Sequence, residues 1–156
     1  MHRHCSGEPP KPPGPPSPPG PAPPAPPGSG SPLVLLNGSR CLDGSPAGYY
    51  FQPAAPTGRP GSSSSWAFYL HGGGACADEP SCTQRANSQL GSSTDWPRAV
   101  VLGAGKGAGD VMISNSSAAN PDFWDWNHVY IPYCSGDTHA GQRTAATADT
   151  YGLYFR

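Results

Sequence analysis

The chain has 156 residues, a formal net charge of −1 at pH 7 and only 12% charged residues. This balance excludes the basic stripe with which proteins bind nucleic acid, so nucleic acid is not expected as a partner. No apolar run approaches the roughly 20 residues that span a bilayer, so no transmembrane segment is predicted.

The first 32 residues differ sharply in composition from the rest. They contain most of the chain's 22 prolines and almost no large apolar side chain, so they cannot form a core. Proline at nearly every second position from Lys11 to Pro27 favours an extended polyproline II conformation. We predict a disordered linker or stalk over residues 1–32. The folded domain is expected over residues 33–156, which hold all four tryptophans and all seven tyrosines.

The five cysteines favour disulfide bonds over a structural zinc site. They form no C-x-x-C pair and the histidines complete no zinc-finger spacing, so neither a metal nor a cofactor is expected. Cys76 and Cys82 bracket a short loop, whereas Cys41 and Cys134 would close a long one; Cys5 is left over. Disulfides imply an oxidising compartment and hence a secreted protein.

Two further features bear on secretion. The sequons Asn37-Gly-Ser39 and Asn115-Ser-Ser117 are candidate glycosylation sites, which agree with an extracellular location. Residues 1–8 have a basic start without an apolar region, so no signal peptide is visible.

The first predicted elements are strands. Asp43–Gly48 has turn composition, and Tyr49–Phe51 follows it as a short strand. Trp66–Leu70 is apolar at every position. Such a run predicts a strand buried on both faces, as in the parallel sheets of α/β proteins.

The later elements are less regular. The capping box Ser81-x-x-Gln84 predicts a helix from Cys82 to Leu90. Arg98–Leu102 is either a strand or part of a buried loop. Residues 103–121 are expected to be irregular. His128–Ile131 is predicted to be a second strand of the sheet, ending before a proline.

Three glycines follow the strand at Trp66–Leu70, after His71. Glycine N–H groups at the end of a buried strand can converge on a developing alkoxide without a side chain in the way. This pattern predicts part of an oxyanion hole. A matching nucleophile is missing, because the sequence contains no G-x-S-x-G elbow.

Other candidate residues point to structure rather than chemistry. His71 lies beside the glycines and is a candidate base, but it has no nucleophile to pair with and is expected to support the geometry of the loop. Ser92, Ser93 and Ser135 occur in turn-like contexts, where hydroxyls usually bond to backbone. The remaining candidates, namely carboxylates for glycoside hydrolysis and aromatics for a sugar pocket, have no specific spacing; they are Asp122, Asp125, Asp137, Phe123, Trp124 and Trp126.

The run Val100–Ala108 matches the dinucleotide fingerprint G-x-G-x-x-A. That fingerprint requires a helix after the glycines, and residues 109–121 lack a sustained helical apolar period. A surface loop is the preferred interpretation.

Several segments together resemble one family, the pectin acetylesterases with the related Notum carboxylesterases. The matching segments, in the family's order, are Leu42–Tyr50, Gly72–Cys76 with Cys82, Leu90–Ser93, Asn120–Phe123, Trp126-Asn127, Pro132–Ser135 and Leu153–Arg156. The resemblance implies an α/β-hydrolase-like fold, a mostly parallel sheet flanked by helices, and hydrolysis of an ester on a secreted polymer or lipidated substrate. It also implies disulfides between Cys76 and Cys82 and between Cys41 and Cys134.

The resemblance assigns only part of an active site. By match, Gly73 and Gly74 supply oxyanion-hole N–H groups, and His71 and Ala75 lie at the substrate pocket. The family usually has a glutamate in place of His71 and a tryptophan in place of Ala75, so Ala75 implies a more open pocket. The family's serine, aspartate and histidine lie further along its chain than the matched segments.

The sequence therefore predicts the N-terminal portion of a pectin-acetylesterase-type serine esterase that stops before the nucleophile elbow. Its substrate would be an acetylated polysaccharide or another ester, and the portion alone is expected to be inactive. The alternative is a non-catalytic, secreted glycan-binding or wall-associated module with a proline-rich stalk. The oligomeric state is not predicted.

Overall fold

The computed structural model describes residues 30–105, 108–143 and 145–155. The predicted proline-rich linker falls almost wholly on residues 1–29, which lie outside the described residues. The elements are β1 (Ser31–Arg40), β2 (Pro46–Gln52), β3 (Trp66–Leu70), α1 (Glu79–Ala86), β4 (Ala99–Val100), α2 (Ala108–Met112) and β5 (Asn127–Ile131).

The five strands form one mixed sheet in the order β3-β5-β2-β1-β4. β1 and β2 are joined by the short segment 41–45 and pair antiparallel, as a tight connection requires. β3 reaches β5 through a long crossover, and these two strands pair in parallel. The β2–β5 and β1–β4 pairs are antiparallel, so the sheet of the described residues is mixed rather than mostly parallel.

One face of the sheet carries the core. Tyr50 is 1% exposed and forms a cluster with Leu102 and Ile113, which belong to the crossover between β4 and β5. Tyr69 and Tyr130 pack against this cluster, and their rings stack with centroids 5.6 Å apart. The buried phenol of Tyr50 donates to the Pro97 carbonyl at 2.7 Å, which satisfies its polar atom.

The other face is largely open near β3. Trp66, Phe68 and Leu70 project from it and are 48%, 58% and 51% exposed. The prediction that β3 is buried on both faces is wrong for the described structure, because β3 is an edge strand whose alternate side chains have no covering layer. Phe51 of β2 shares this face and stacks on Trp66 at 5.6 Å.

Helix α1 begins three residues before the predicted start. Asp78 is its N-cap: its carboxylate accepts from the Ser81 backbone N–H at 2.9 Å, and the Ser81 hydroxyl bonds the Asp78 N–H. Pro80 lies in the first turn, where no backbone donor is needed. The capping box is therefore Asp78-x-x-Ser81, not Ser81-x-x-Gln84, and the helix ends at Ala86 rather than Leu90.

The segment expected to be irregular contains the short helix α2. Gly103 has a φ of +74°, and an added Cβ would lie 2.4 Å from the Ser114 Cα, so the two segments approach too closely there for a side chain. The dinucleotide-like run includes residues 106 and 107, which lie outside the described residues. With five residues, α2 is too short to provide the helix that such a fingerprint needs.

Both implied disulfides are present. Cys41–Cys134 joins the β1–β2 turn to the segment after β5, and both residues are buried. Next to it, the Leu42 N–H donates to the Cys134 carbonyl at 3.0 Å and the Leu42 carbonyl accepts from the Tyr154 N–H at 3.0 Å. Cys76–Cys82 links the glycine loop to α1.

Candidate active site

The glycine loop, residues 71–76, begins where β3 ends. The His71 N–H donates to the Ile131 carbonyl at 2.9 Å, so the loop leaves the sheet beside the carboxyl end of the parallel strand β5. The Cys76 N–H donates to the Gly136 carbonyl at 3.0 Å and anchors the loop's far end. Ligands of α/β proteins commonly bind at this edge of a sheet, so the loop lies where a site is expected.

Gly73 and Gly74 are glycines for different reasons. An added Cβ at Gly73 would lie 2.3 Å from Cδ1 of Tyr133, so the backbone there packs too closely on that ring for a side chain. Gly74 is exposed and has a φ of +71°, a conformation that side chains disfavour. Gly73 is therefore required by the close contact with the Tyr133 ring, and Gly74 by the left-handed conformation of its backbone.

The backbone N–H groups of this loop are available to a ligand. Among the described residues, none accepts a hydrogen bond from the N–H of Gly72, Gly73 or Gly74. The Gly73 carbonyl, in contrast, accepts from Nη1 of Arg85 at 2.7 Å. Unpaired N–H groups in an exposed, anchored loop can bind an anionic oxygen, which is the chemistry of an oxyanion hole.

Arg85 was not among the residues selected from the sequence. It lies in the last turn of α1, one turn after Cys82, and its guanidinium carbon is 6.0 Å from the centre of the Tyr133 ring. The available signal was the spacing Cys82-x-x-Arg85, which places both side chains on one face of a helix that the disulfide holds beside the loop.

His71 is half-buried and its ring packs edge-on against Tyr69 and Tyr130, at 6.3 and 5.8 Å. Its carbonyl bonds Nε2 of His139 at 3.0 Å. It therefore contributes an aromatic wall and a backbone anchor. Ala75 is exposed and lies on the loop between Gly74 and the disulfide.

A cavity of about 260 Å³ lies beside the loop. Its wall is mostly aromatic and apolar; it includes Tyr50, His71, Leu90, Trp96, Val100, Tyr130 and Tyr133. Burial raises the pKa of Tyr130 to about 12, and the negative charge of Asp110 acts in the same direction. The phenol is therefore a neutral hydrogen-bonding group in this wall at physiological pH.

The serines considered as nucleophiles have other partners. Ser93 Oγ donates to the Pro46 carbonyl at 2.7 Å, and Ser92 Oγ bonds the Thr94 hydroxyl at 2.8 Å. Ser135 Oγ donates to the Asp137 carboxylate. In the described structure none of these hydroxyls is bonded to a histidine.

The carboxylates considered for glycoside hydrolysis are not a pair. Asp125 is fully buried, with its Oδ2 accepting from the Thr57 hydroxyl at 2.9 Å. Asp137 binds Ser135 instead, and Asp122 is exposed. Among the described residues, no group of three or more His, Cys, Asp and Glu side chains is arranged to hold a metal ion.

The aromatic segment before β5 and the sequons lie elsewhere. Phe123 and Trp126 are half-buried, and their rings pack on each other at 4.7 Å. Asn37 and Asn115 are exposed. In the described part of the chain, no helix is long and apolar enough to cross a membrane.

Comparison with known proteins identifies the class. A family model described as pectinacetylesterase matches residues 33–156. A crystal structure of the Wnt deacylase Notum from Drosophila is 30% identical, with a TM-score of 0.66 over 81% of this chain and 34% of that chain. The fold is therefore α/β-hydrolase-like, as the resemblance implied, and the chain belongs to the pectinacetylesterase family.

Individual relatives agree. Pectin acetylesterase 4 from Arabidopsis thaliana is 38% identical over 119 residues, which cover 76% of this chain and 26% of that protein. Palmitoleoyl-protein carboxylesterase NOTUM from Homo sapiens is 36% identical over 123 residues, covering 77% and 22%. The chain thus spans about a quarter of the length of these relatives.

Proposed function

We propose that this chain is the oxyanion-binding portion of a secreted carboxylic ester hydrolase of the pectin acetylesterase type. The observation that carries the proposal is the glycine loop, whose N–H groups at Gly72, Gly73 and Gly74 have no acceptor among the described residues. In the complete enzyme a serine, assisted by histidine and aspartate, attacks the ester carbonyl. The loop then stabilises the negative charge on the tetrahedral oxygen, with Gly73 and Gly74 as donors.

The substrate is an acetylated cell-wall or extracellular polysaccharide, or another ester. The similarity to enzymes named for pectin and for palmitoleoylated protein supports an ester of an extracellular polymer. Ala75 carries only a methyl group next to the donors, which leaves room for a bulky alcohol part of the ester. The aromatic cavity beside His71 offers flat apolar faces to a sugar ring or an acyl group.

The protein is proposed to act outside the cell. The two disulfides require an oxidising compartment, and Asn37 and Asn115 are exposed and accessible to glycosylation. A test is expression in a secreting eukaryotic host, where treatment with an N-glycosidase should increase the mobility of the wild-type chain and not that of a double Asn37→Gln, Asn115→Gln variant.

A hybrid enzyme tests the catalytic proposal. Residues 33–156 replace the matching segment of Arabidopsis pectin acetylesterase 4, and acetate release from pectin and from p-nitrophenyl acetate is measured. The hybrid should hydrolyse both esters, whereas the 156-residue chain alone should hydrolyse neither. A folded but inactive hybrid would refute the proposal, and glycan binding by the isolated chain without any hydrolysis by the hybrid would favour the non-catalytic module.

A further inference from the structure

We infer that Arg85 is a positioning residue for the oxyanion hole, and that it orients and polarises the peptide between Gly73 and Gly74. This inference rests on the proposed function of the glycine loop. Its basis is the hydrogen bond from Arg85 Nη1 to the Gly73 carbonyl, 2.7 Å long, across twelve residues of sequence. Nothing in the matched segments assigns a role to this arginine.

Peptide geometry connects this bond to the donor. The peptide bond between Gly73 and Gly74 is planar and trans, so its C=O and N–H point in opposite directions. When Arg85 holds the carbonyl on one side, the Gly74 N–H is directed to the other side. Gly74 is exposed, and a glycine backbone at φ +71° can adopt many other conformations. The bond from Arg85 therefore limits the rotation of this peptide.

The bond also strengthens the donor. A guanidinium bound to a carbonyl forms a charge-assisted hydrogen bond. The bound carbonyl withdraws electron density from the same peptide's N–H, and chains of hydrogen bonds polarise one another in this way. In addition, Arg85 Nη2 lies 3.7 Å from the position of an added Cβ at Gly74, so the guanidinium also lies near the residue that carries the donor.

The arginine is held in place on several sides. α1 is capped at Asp78 and tied through Cys82 to Cys76, the residue that closes the glycine loop. The guanidinium lies over the Tyr133 ring, against which Gly73 also packs. Helix, loop and ring thus contact the guanidinium from several directions and restrict its position, which is what a preorganised donor requires.

The kinetic test uses the hybrid enzyme. Arg85→Met removes the donor and charge, Arg85→Lys keeps a cationic donor, and Arg98→Met is the matched control because Arg98 is an exposed arginine. We expect Arg85→Met to lower kcat about 10- to 100-fold with KM changed less than about twofold, since loss of one oxyanion donor costs about 100- to 1000-fold. Arg85→Lys should recover much of the loss and Arg98→Met should match the parent.

Equal kcat in Arg85→Met and the parent would overturn the inference. So would a loss that appears in KM alone, or one that Arg85→Lys does not recover although both variants unfold at the parental temperature, because a purely structural contact predicts those results.

A second measurement does not need ester hydrolysis. In the 156-residue chain labelled with ¹⁵N-glycine and ¹³C-carbonyl groups, Arg85→Met should shift the Gly73 carbonyl and Gly74 amide resonances, while Arg98→Met should leave both unchanged. Unshifted resonances in Arg85→Met would refute the anchor. If the parent hybrid is inactive, the proposed function fails, and this spectrum still decides whether Arg85 anchors the peptide between Gly73 and Gly74.

Discussion

The guanidinium of Arg59 lies against the carboxylate of Asp125, with 3.5 Å between Nη1 and Oδ1. The pair is asymmetric, because the Arg59 side chain is 49% exposed and Asp125 is fully buried. Arg59 also donates from Nη2 to the Asp122 carbonyl at 3.3 Å. The pair fastens the loop before β3 to the turn before β5, although these segments are more than 60 residues apart.

Replacement of Arg59 by Met should therefore destabilise the chain. A buried carboxylate loses its counter-charge and keeps a single hydrogen bond from Thr57. We expect a loss of about 2 kcal/mol in the free energy of unfolding, below the cost of breaking a fully buried pair because Arg59 is half-exposed. Urea unfolding of Arg59→Met and of the exposed control Arg98→Met measures it; equal values for the two variants would contradict the assignment.

His128 should make stability depend on pH. Burial lowers the pKa of His128 below its ordinary value of 6.5, against the opposing effects of the Phe123 carbonyl and the Asp125 charge. Nε2 donates to that carbonyl at 2.8 Å, and the ring is fully buried. Below pH 6.5 the unfolded chain binds a proton that the folded chain does not, so folding stability should fall as pH drops through this window.

The measurement is urea unfolding at pH 7.5, 6.5 and 5.5. His128→Gln keeps a donor for the Phe123 carbonyl and removes the titrating group, so its stability should vary less with pH than that of the parent. His139→Gln, which removes an exposed imidazole, is the control. An unchanged slope in His128→Gln would show that other groups cause the pH dependence.

Local sequence predicts three strands of the described sheet, one of which lies at its edge. β2, β3 and β5 are short aromatic or β-branched runs between turn residues, and these signals do not depend on distant contacts. β1 was missed because the residues between Leu35 and Arg40 interrupt the ladder and lack an alternating pattern. The end of β1 is held by the disulfide from Cys41 to Cys134, a tertiary contact that local sequence does not reveal.

The errors in the start of α1 and in the burial of β3 also arise from tertiary structure that the local sequence does not specify. Asp78 lies three residues before Ser81 and Gln84 three residues after it, so the sequence allows two overlapping capping boxes. The structure has the box Asp78-x-x-Ser81, in the helix that Cys82 links to Cys76. The apolar run of β3 predicts a strand but does not show whether both of its faces are covered, because its position at the sheet edge depends on strand order. In the site, the glycines are recognisable from the sequence. The role of Arg85 is not, because it depends on the tertiary contact between α1 and the glycine loop.

Gly73 and Gly72 should respond differently to alanine. A Cβ at Gly73 would overlap the Tyr133 ring at 2.3 Å, and one at Gly72 would meet nothing within 4 Å. We expect Gly73→Ala to lower the free energy of unfolding by about 2 kcal/mol, in the range for overpacking, and Gly72→Ala to change it by less than about 0.5 kcal/mol. Thermal unfolding of both variants checks this. Equal stability would mean that the loop does not pack on Tyr133.

The two disulfides should differ in their contribution to stability. Cys41–Cys134 closes a loop with a sequence separation of 93, whereas Cys76–Cys82 has a separation of 6. Loop-closure entropy alone gives about 4–5 kcal/mol for the long loop and about 2 kcal/mol for the short one. Urea unfolding of a Cys41→Ser, Cys134→Ser variant and a Cys76→Ser, Cys82→Ser variant should show this order; a larger loss for the short loop would contradict the entropic account.

The open face of β3 should make the isolated chain self-associate. Phe68 is 58% exposed between Trp66 and Leu70 on an edge strand, and an unpaired edge with apolar side chains is a template for association. Phe68→Lys places a charge there and should shift the chain towards monomer in sedimentation velocity runs at increasing concentration. Val101→Lys adds the same charge at a 69% exposed residue outside the strands and should leave association unchanged. If both variants reduce association equally, net charge and not the β3 edge is responsible.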